Sequence, residues 1–149
     1  MTWTPHVTVA AVVERDGRFL LVEEEDAGRL VLNQPAGHLD EGESLLHAVQ
    51  RETLEETAWH FVPEYLLGIY RWISPRGVTY IRFAFGGRLG SHERERPLDR
   101  GIVRTLWLTP TEIADAHARH RSPQLQRCVD DYRAGKRYPL ELLGDFHAG

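Results

Sequence analysis

Three glutamates, Glu52, Glu55 and Glu56, stand at positions i, i+3 and i+4 within the stretch from Gly37 to Trp59, GHLDEGESLLHAVQRETLEETAW. On a helix turning by about 100° per residue their side chains share one side. With Leu45 as zero, Val49 falls near about 40°, Glu52 near about 340° and Glu56 near about 20° on the same wheel. Two acids therefore lie inside the apolar stripe. Like charges at i,i+4 cost roughly 0.2–0.5 kcal/mol each even in water, and half-burying them costs more unless a positive group offsets it. A hard divalent cation is the natural partner, because Mg²⁺ takes oxygen ligands, keeps some of its waters and binds through a few carboxylates plus substrate phosphates. The plainer alternative is an acidic face paired to neighbouring bases, since Arg51 and Glu55 are themselves an i,i+4 ion pair. Pro35-Ala36-Gly37, a turn able to aim a backbone carbonyl at the same point, favours the metal.

Those acids need a scaffold. His6 to Glu14 is a β-branched run that reads as a strand, Asp16-Gly17 makes a tight hairpin, and Arg18 to Glu24 returns as its partner. Glu25 to Gly28 is polar, Leu30 to Leu32 is a short strand, and Gln34-Pro35 ends it. Ser44 caps the acid-bearing helix, which runs to about Thr57. After Pro63 come a strand from Tyr65 to Ile73, the turn Ser74 to Gly77, and an alternating strand from Val78 to Phe85. Gly86 to Gly101 reads as a long polar loop carrying His92, Glu93, Glu95 and Asp99, and Ile102 to Leu108 as another strand. Thr109-Pro-Thr-Glu112 has a cap, a first-turn proline and a glutamate three positions on, so a short helix starts there. Ser122-Pro123 opens a second, which stops at Gly135. The tail keeps Tyr138, Leu140, Leu142, Leu143 and Phe146 and so packs across the sheet. Strands on both sides of one central helix, with helices again at the end, give a mixed α/β sandwich; the pattern leaves the sheet order open.

Composition sets the bounds. A chain of 149 residues supports one domain, burying roughly 70% of its unfolded surface. With 42% hydrophobic and 27% charged residues it is ordinary globular material, and a net charge of −4 argues against a nucleic-acid polymer as partner. The lone cysteine, Cys128, fits a reducing compartment and a packing role. Neither a signal peptide nor a span long enough for a bilayer is visible, so the expectation is a cytoplasmic protein without membrane contact. A monomer is expected, since no long apolar stretch is left over.

The acid-bearing stretch resembles the signature of the Nudix hydrolases: Gly, five residues, Glu, seven residues, then Arg-Glu-hydrophobic-any-Glu-Glu-any-Gly-hydrophobic. Gly37, Glu43, Arg51, Glu52, Glu55 and Glu56 match position for position. Thr53 stands where an aliphatic residue is usual, Ala58 replaces the closing glycine, and Trp59 is a bulkier hydrophobe than most. No charged group is lost, but Ala58 must serve a turn where glycine tolerates a left-handed conformation. Further matches, among them Asn33 to His38, Trp72-Ile73, Arg82-Phe83, Arg121-Ser-Pro123 and Arg137 to Glu141, resemble a bacterial phosphatase branch of that family and cover nearly the whole chain.

The resemblance implies a Nudix-type α/β/α sandwich with a mixed β-sheet. It also implies a phosphohydrolase dependent on Mg²⁺, or Mn²⁺ in its place, that acts on small-molecule phosphoanhydrides. In that branch orthophosphate is released from nucleoside tri- and diphosphates, from the pyrimidine pyrophosphate of thiamine synthesis and from thiamine diphosphate. The carbonyl of Gly37 with Glu52, Glu55 and Glu56 would be the metal ligands. Arg51 would orient a glutamate, with Glu43 as its structural partner. The base is Glu52 or Glu56, or Asp99 from the loop beyond. For substrate, Tyr70 and Trp72 could stack a ring, Arg82 and His38 could reach phosphate, and Tyr138 could close the pocket; the plain alternative for the aromatics is core packing. A hydrolase of linked diphosphates such as ADP-ribose, and a non-catalytic nucleotide sensor, are the competing functions. An acidic calcium-binding scaffold would need the alternating acids of an EF-hand loop, which are absent.

Overall fold

The computed structural model describes residues 2–148. The elements are β1 His6–Val12, β2 Glu14–Arg15, β3 Arg18–Asp26, β4 Arg29–Asn33, β5 Ala36–His38, α1 Leu45–Thr57, β6 Trp59–Ile73, β7 Thr79–His92, β8 Ile102–Leu108, α2 Pro110–Asp115 and α3 Gln124–Arg133, with short 3₁₀ turns at His117–Arg119 and Leu140–Leu142. One sheet runs β5-β1-β7-β6, and β1 is parallel to β7 while its other pairings are antiparallel. The other sheet pairs β3 with β2, β4 and β8, all antiparallel. Val13 joins the two, its carbonyl accepting the Leu20 N–H at 3.0 Å.

Alternation along β1 builds a core on each face. Val9, Ala11 and Val13 point toward α1, where Ala48, Val49, Phe61 and Phe85 close around them. Ala10 and Val12 point the other way, to Leu125, Cys128 and Val129 of α3 and Ile113 of α2. The architecture is a mixed α/β sandwich with helices on both faces. No helix among the described residues is long and apolar enough to cross a membrane.

The local signals act as their chemistry requires. Ser44 Oγ accepts the His47 N–H at 3.0 Å to start α1, and Thr109 with Glu112 forms a reciprocal capping box on α2. Two boundaries differ from the sequence reading. β6 begins at Trp59 rather than Tyr65, and β7 continues to His92, so the first part of the expected polar loop is ladder. The glycines that suggested a loop are required inside the strand. A Cβ at Gly86 would lie 2.1 Å from the Tyr65 ring, and one at Gly87 would lie 2.0 Å from the Val62 carbonyl oxygen. Pro63 is accommodated beside register shifts in the same ladder. The tail lies along the edge of β6: Tyr138 and Leu66 exchange backbone hydrogen bonds at 2.8 Å, and Leu140 and Leu143 pack beside the α1 core.

Candidate active site

A cleft of about 690 Å³ opens between β5, the C-terminal half of α1, the β6–β7 hairpin and the segment leading into α3. Gly37, Glu52 and Glu56 form one end of it, and Trp72 with Tyr80 another part of its wall. The acid end follows from the helix wheel. Val49 is fully buried, Glu56 is 8% exposed, and its Oε1 accepts the Ala36 N–H at 2.9 Å, which ties α1 to β5, the short strand that stands where the sequence suggested a turn. A Cβ at Gly37 would sit 2.1 Å from the Glu52 carboxyl carbon, so any larger residue there would displace the Glu52 carboxylate. Carboxylate oxygens of Glu52, Glu55 and Asp99 lie within 4.8 Å of one another, a cluster that could hold a metal ion. Asp99 reaches the cluster because its own N–H donates to the Glu55 carbonyl at 2.9 Å.

Electrostatics bear out an acid set short of positive charge. Burial pushes Glu56 up to about 9, against the Ala36 hydrogen bond and with Glu24, Glu52 and Asp99 adding repulsion. Burial likewise pushes Glu52 up to about 7 although Arg51 donates to it. Arg51 is the hub of the network: Nε and Nη2 donate to Glu43 at 2.6 and 3.0 Å, Nη1 to Glu52 and Glu55 at 2.9 and 2.8 Å, and Nη2 to the His38 carbonyl at 3.0 Å. Those bonds hold Glu43 down to about 2. Arg51 thus orients acids, and Glu43 is its anchor rather than part of the cleft. Hard carboxylate oxygens, gathered and under-neutralised, suit a divalent cation of the Mg²⁺ class.

The remaining sequence candidates separate. His38 lines the cleft and faces His6, the ring nitrogens 3.1 Å apart, and partial desolvation with His6 and Arg121 nearby lowers its pKa. Trp72 stacks on Tyr80 with ring centroids 5.6 Å apart. Arg82 also lines the cleft but is 4% exposed, set into the sheet floor rather than lying on an open strand. Tyr70 is turned to α3, its hydroxyl donating to Asp131 at 2.7 Å, and does not line the cleft. Tyr138 sits on the β6 edge, away from the cleft lining.

Several wall residues carry no sequence expectation. Tyr80 precedes Arg82 on the same face of β7, so strict alternation places both. Glu24 lines the cleft paired to Arg121, and Arg76, Ser122 and Gln124 complete that side. The motif Arg121-Ser-Pro123 was the available signal, without a role attached.

Comparison with known proteins agrees with this geometry. The NUDIX domain model matches residues 4–128. The chain is 41% identical over 143 residues to the phosphatase NudJ of Escherichia coli K12, covering 96% of this chain and 93% of that one, and the NudJ of Shigella flexneri matches equally. A NUDIX hydrolase from Nitrosomonas europaea superposes with a TM-score of 0.94 at 50% identity, covering 96% of this chain and 98% of that one. A UDP-X diphosphatase superposes at 0.74 with 19% identity, over 93% of this chain and 68% of that one, a likeness of fold alone. With the acid-bearing helix folded against Gly37 as the signature demands, and relatives matched along almost their whole length, the chain belongs to the Nudix family and is a Nudix hydrolase acting on phosphoanhydrides.

Proposed function

We propose that the protein is a Mg²⁺-dependent phosphohydrolase that releases orthophosphate from nucleoside tri- and diphosphates and from pyrophosphates of the thiamine type, acting as a cytoplasmic monomer. One observation carries the reading: a single cleft has the acid set at Gly37, Glu52 and Glu56 and a stacked Trp72–Tyr80 pair in its wall. That is the layout a compound with a planar ring at one end and a phosphoanhydride at the other requires. The likeness to NudJ phosphatases over most of both chains supports orthophosphate as the product.

The Gly37 carbonyl with Glu52, Glu55 and Glu56 would hold the cation, which when bound neutralises phosphate charge and makes water more acidic. The protein's own part is placement. Arg51 fixes Glu52 and Glu55 through one nitrogen, and the Ala36 N–H fixes Glu56. A carboxylate oxygen of Glu52 or Glu56 takes the proton of the attacking water. Asp99, beside Glu52 and Glu55 at the rim, is the alternative acceptor. The Trp72 face holds the ring so that the anhydride reaches the acids.

A second reading has its own observation. Past Trp72 the cleft runs into a shallower slot walled by Pro75, His117 and Pro123, room for the second half of a linked diphosphate such as ADP-ribose. Product chromatography separates the two. Phosphate release from nucleoside di- and triphosphates and thiamine diphosphate, abolished by chelator and reduced at least about a hundredfold in Glu56→Gln, supports the phosphatase. Nucleoside monophosphate from linked diphosphates moves the reading to the second class, and ligand binding without turnover of either compound class overturns both.

A further inference from the structure

Between the acid end of the cleft and Trp72 lies a cation with no anion bonded to it among the described residues. Arg82 donates through Nη1 to Gln34 Oε1 at 2.8 Å and through Nη2 to Asn33 Oδ1 at 3.0 Å, both neutral carboxamides. Those acceptors are themselves fixed. Asn33 Oδ1 also takes the Gln34 N–H at 3.0 Å, and Gln34 Nε2 donates to the Leu125 carbonyl at 2.9 Å. Arg82 Nε, though buried, has no acceptor among the described residues.

A second buried donor lines the same cleft. Gln124, the first residue of α3, is 7% exposed, and its Nε2 also lacks an acceptor among the described residues. Its backbone N–H donates to the Ser122 hydroxyl at 3.1 Å and that hydroxyl donates to Gln124 Oε1 at 3.4 Å, so in this arrangement the amide nitrogen is the group left without a partner. Buried donors are seldom left without a partner, because nothing then offsets their desolvation.

Sheet register says which part of a ligand they would meet. Arg82 pairs with Thr8, which pairs with His38, so the acid end is two strands away, about 10 Å. The next residue outward on the same face is Tyr80, opposite Trp72, about 7 Å along the strand. Arg82 therefore lies between the Trp72 row and the acids, where the edge of a ring held against Trp72 would fall.

We propose that Arg82 and Gln124 are specificity-determining donors that read the acceptor edge, a carbonyl oxygen or ring nitrogen, of the heterocycle on the substrate. This rests on the phosphohydrolase reading and adds the chemistry of the ring. The test compares UDP, whose ring carries two carbonyl oxygens, with inorganic tripolyphosphate, which has no ring. Both kcat/KM and calorimetric affinity are measured for the wild type, Gln124→Leu and Gln124→Glu. Gln124→Leu should lower kcat/KM for UDP by about ten- to a hundredfold and lower it markedly less for tripolyphosphate. Gln124→Glu, which sets an acceptor against an acceptor, should lower the UDP value further.

Equal losses on both compounds would mean a packing role or a phosphate contact and would overturn the proposal, as would no loss on either. If the wild type hydrolyses neither compound, the phosphohydrolase reading fails by itself. A binding preference for UDP over tripolyphosphate that Gln124→Leu removes would then still support the donor pair, and the absence of any such preference would overturn it.

Discussion

Arg51 and Arg82 are both withdrawn from water, yet their surroundings are opposite. Arg51 is ringed by carboxylates, bonded to Glu43, Glu52 and Glu55 and near Asp40. Arg82 meets carboxamide oxygens and a thiol, and its Nε has no acceptor among the described residues. The first is internal structure: its charge is consumed in holding acids at fixed angles. The second keeps its charge and a free donor beside the cleft. Withdrawal from water alone therefore does not assign a role, and the identity of the neighbours separates a scaffold cation from one with a donor to spare.

The sharpest way to break this comparison is to remove each cation in turn. Arg51→Leu should cost about 2–3 kcal/mol, less than a fully buried pair because the side chain is 21% exposed, by urea unfolding. It should also lower kcat by about ten- to a hundredfold, as loss of an orienting partner does at metal sites. Arg82→Leu should change stability by only about 1 kcal/mol, since the desolvation of an unpaired charge is relieved as its hydrogen bonds are lost. Similar stability losses in the two variants would erase the distinction.

A smaller effect sharpens the Arg51 half. The hydrogen bonds from Arg51 hold Glu43 at about 2 against an ordinary 4.5. A depressed folded pKa stabilises above the unfolded value and loses that contribution as pH falls through the folded one. Wild-type stability should thus decline between about pH 4.5 and pH 2, on the order of 1 kcal/mol. Glu43→Gln should show a shallower decline in the same urea titrations, and parallel curves would show that the Arg51 network does not set the acid limb.

The smallest effect serves as a control outside both networks. Ala58 adopts φ +64°, left-handed, at the end of α1 while 3% exposed. Ala58→Gly should raise stability by about 1 kcal/mol by removing that strain, seen as a higher Tm. An unchanged or lower Tm would show that the turn carries no strain.

How much of this was legible follows from what periodicity can encode. The wheel of α1 placed Glu52 and Glu56 inward because helix phase is local, and the cap at Ser44 and the strained turn at Ala58 are local too. Asp99 was nameable as a candidate but not placeable, because its position depends on a hydrogen bond to Glu55 across the fold. Alternation puts Tyr70 and Trp72 on one side of their strand. Only the packing of α3 shows that it covers Tyr70 and leaves the row of Trp72 and Tyr80 open. The strand extension past Phe85 was missed because Gly86, Gly87 and Gly90 carry the composition of a loop, whereas the Tyr65 ring and the Val62 carbonyl of β6 demand absent side chains at Gly86 and Gly87.

The end of α1 is closed by the chain that follows it. Ala58 donates to Leu54, Glu93 donates to the Ala58 carbonyl and Asp99 donates to the Glu55 carbonyl, all at 2.8 to 2.9 Å. Carbonyls that would ordinarily face solvent at a helix terminus are taken by the segment after β7. Glu55 and Glu56 consequently cannot fray outward unless that segment lifts away with them. Turn and segment form one opening unit, whose amides exchange with solvent together rather than residue by residue.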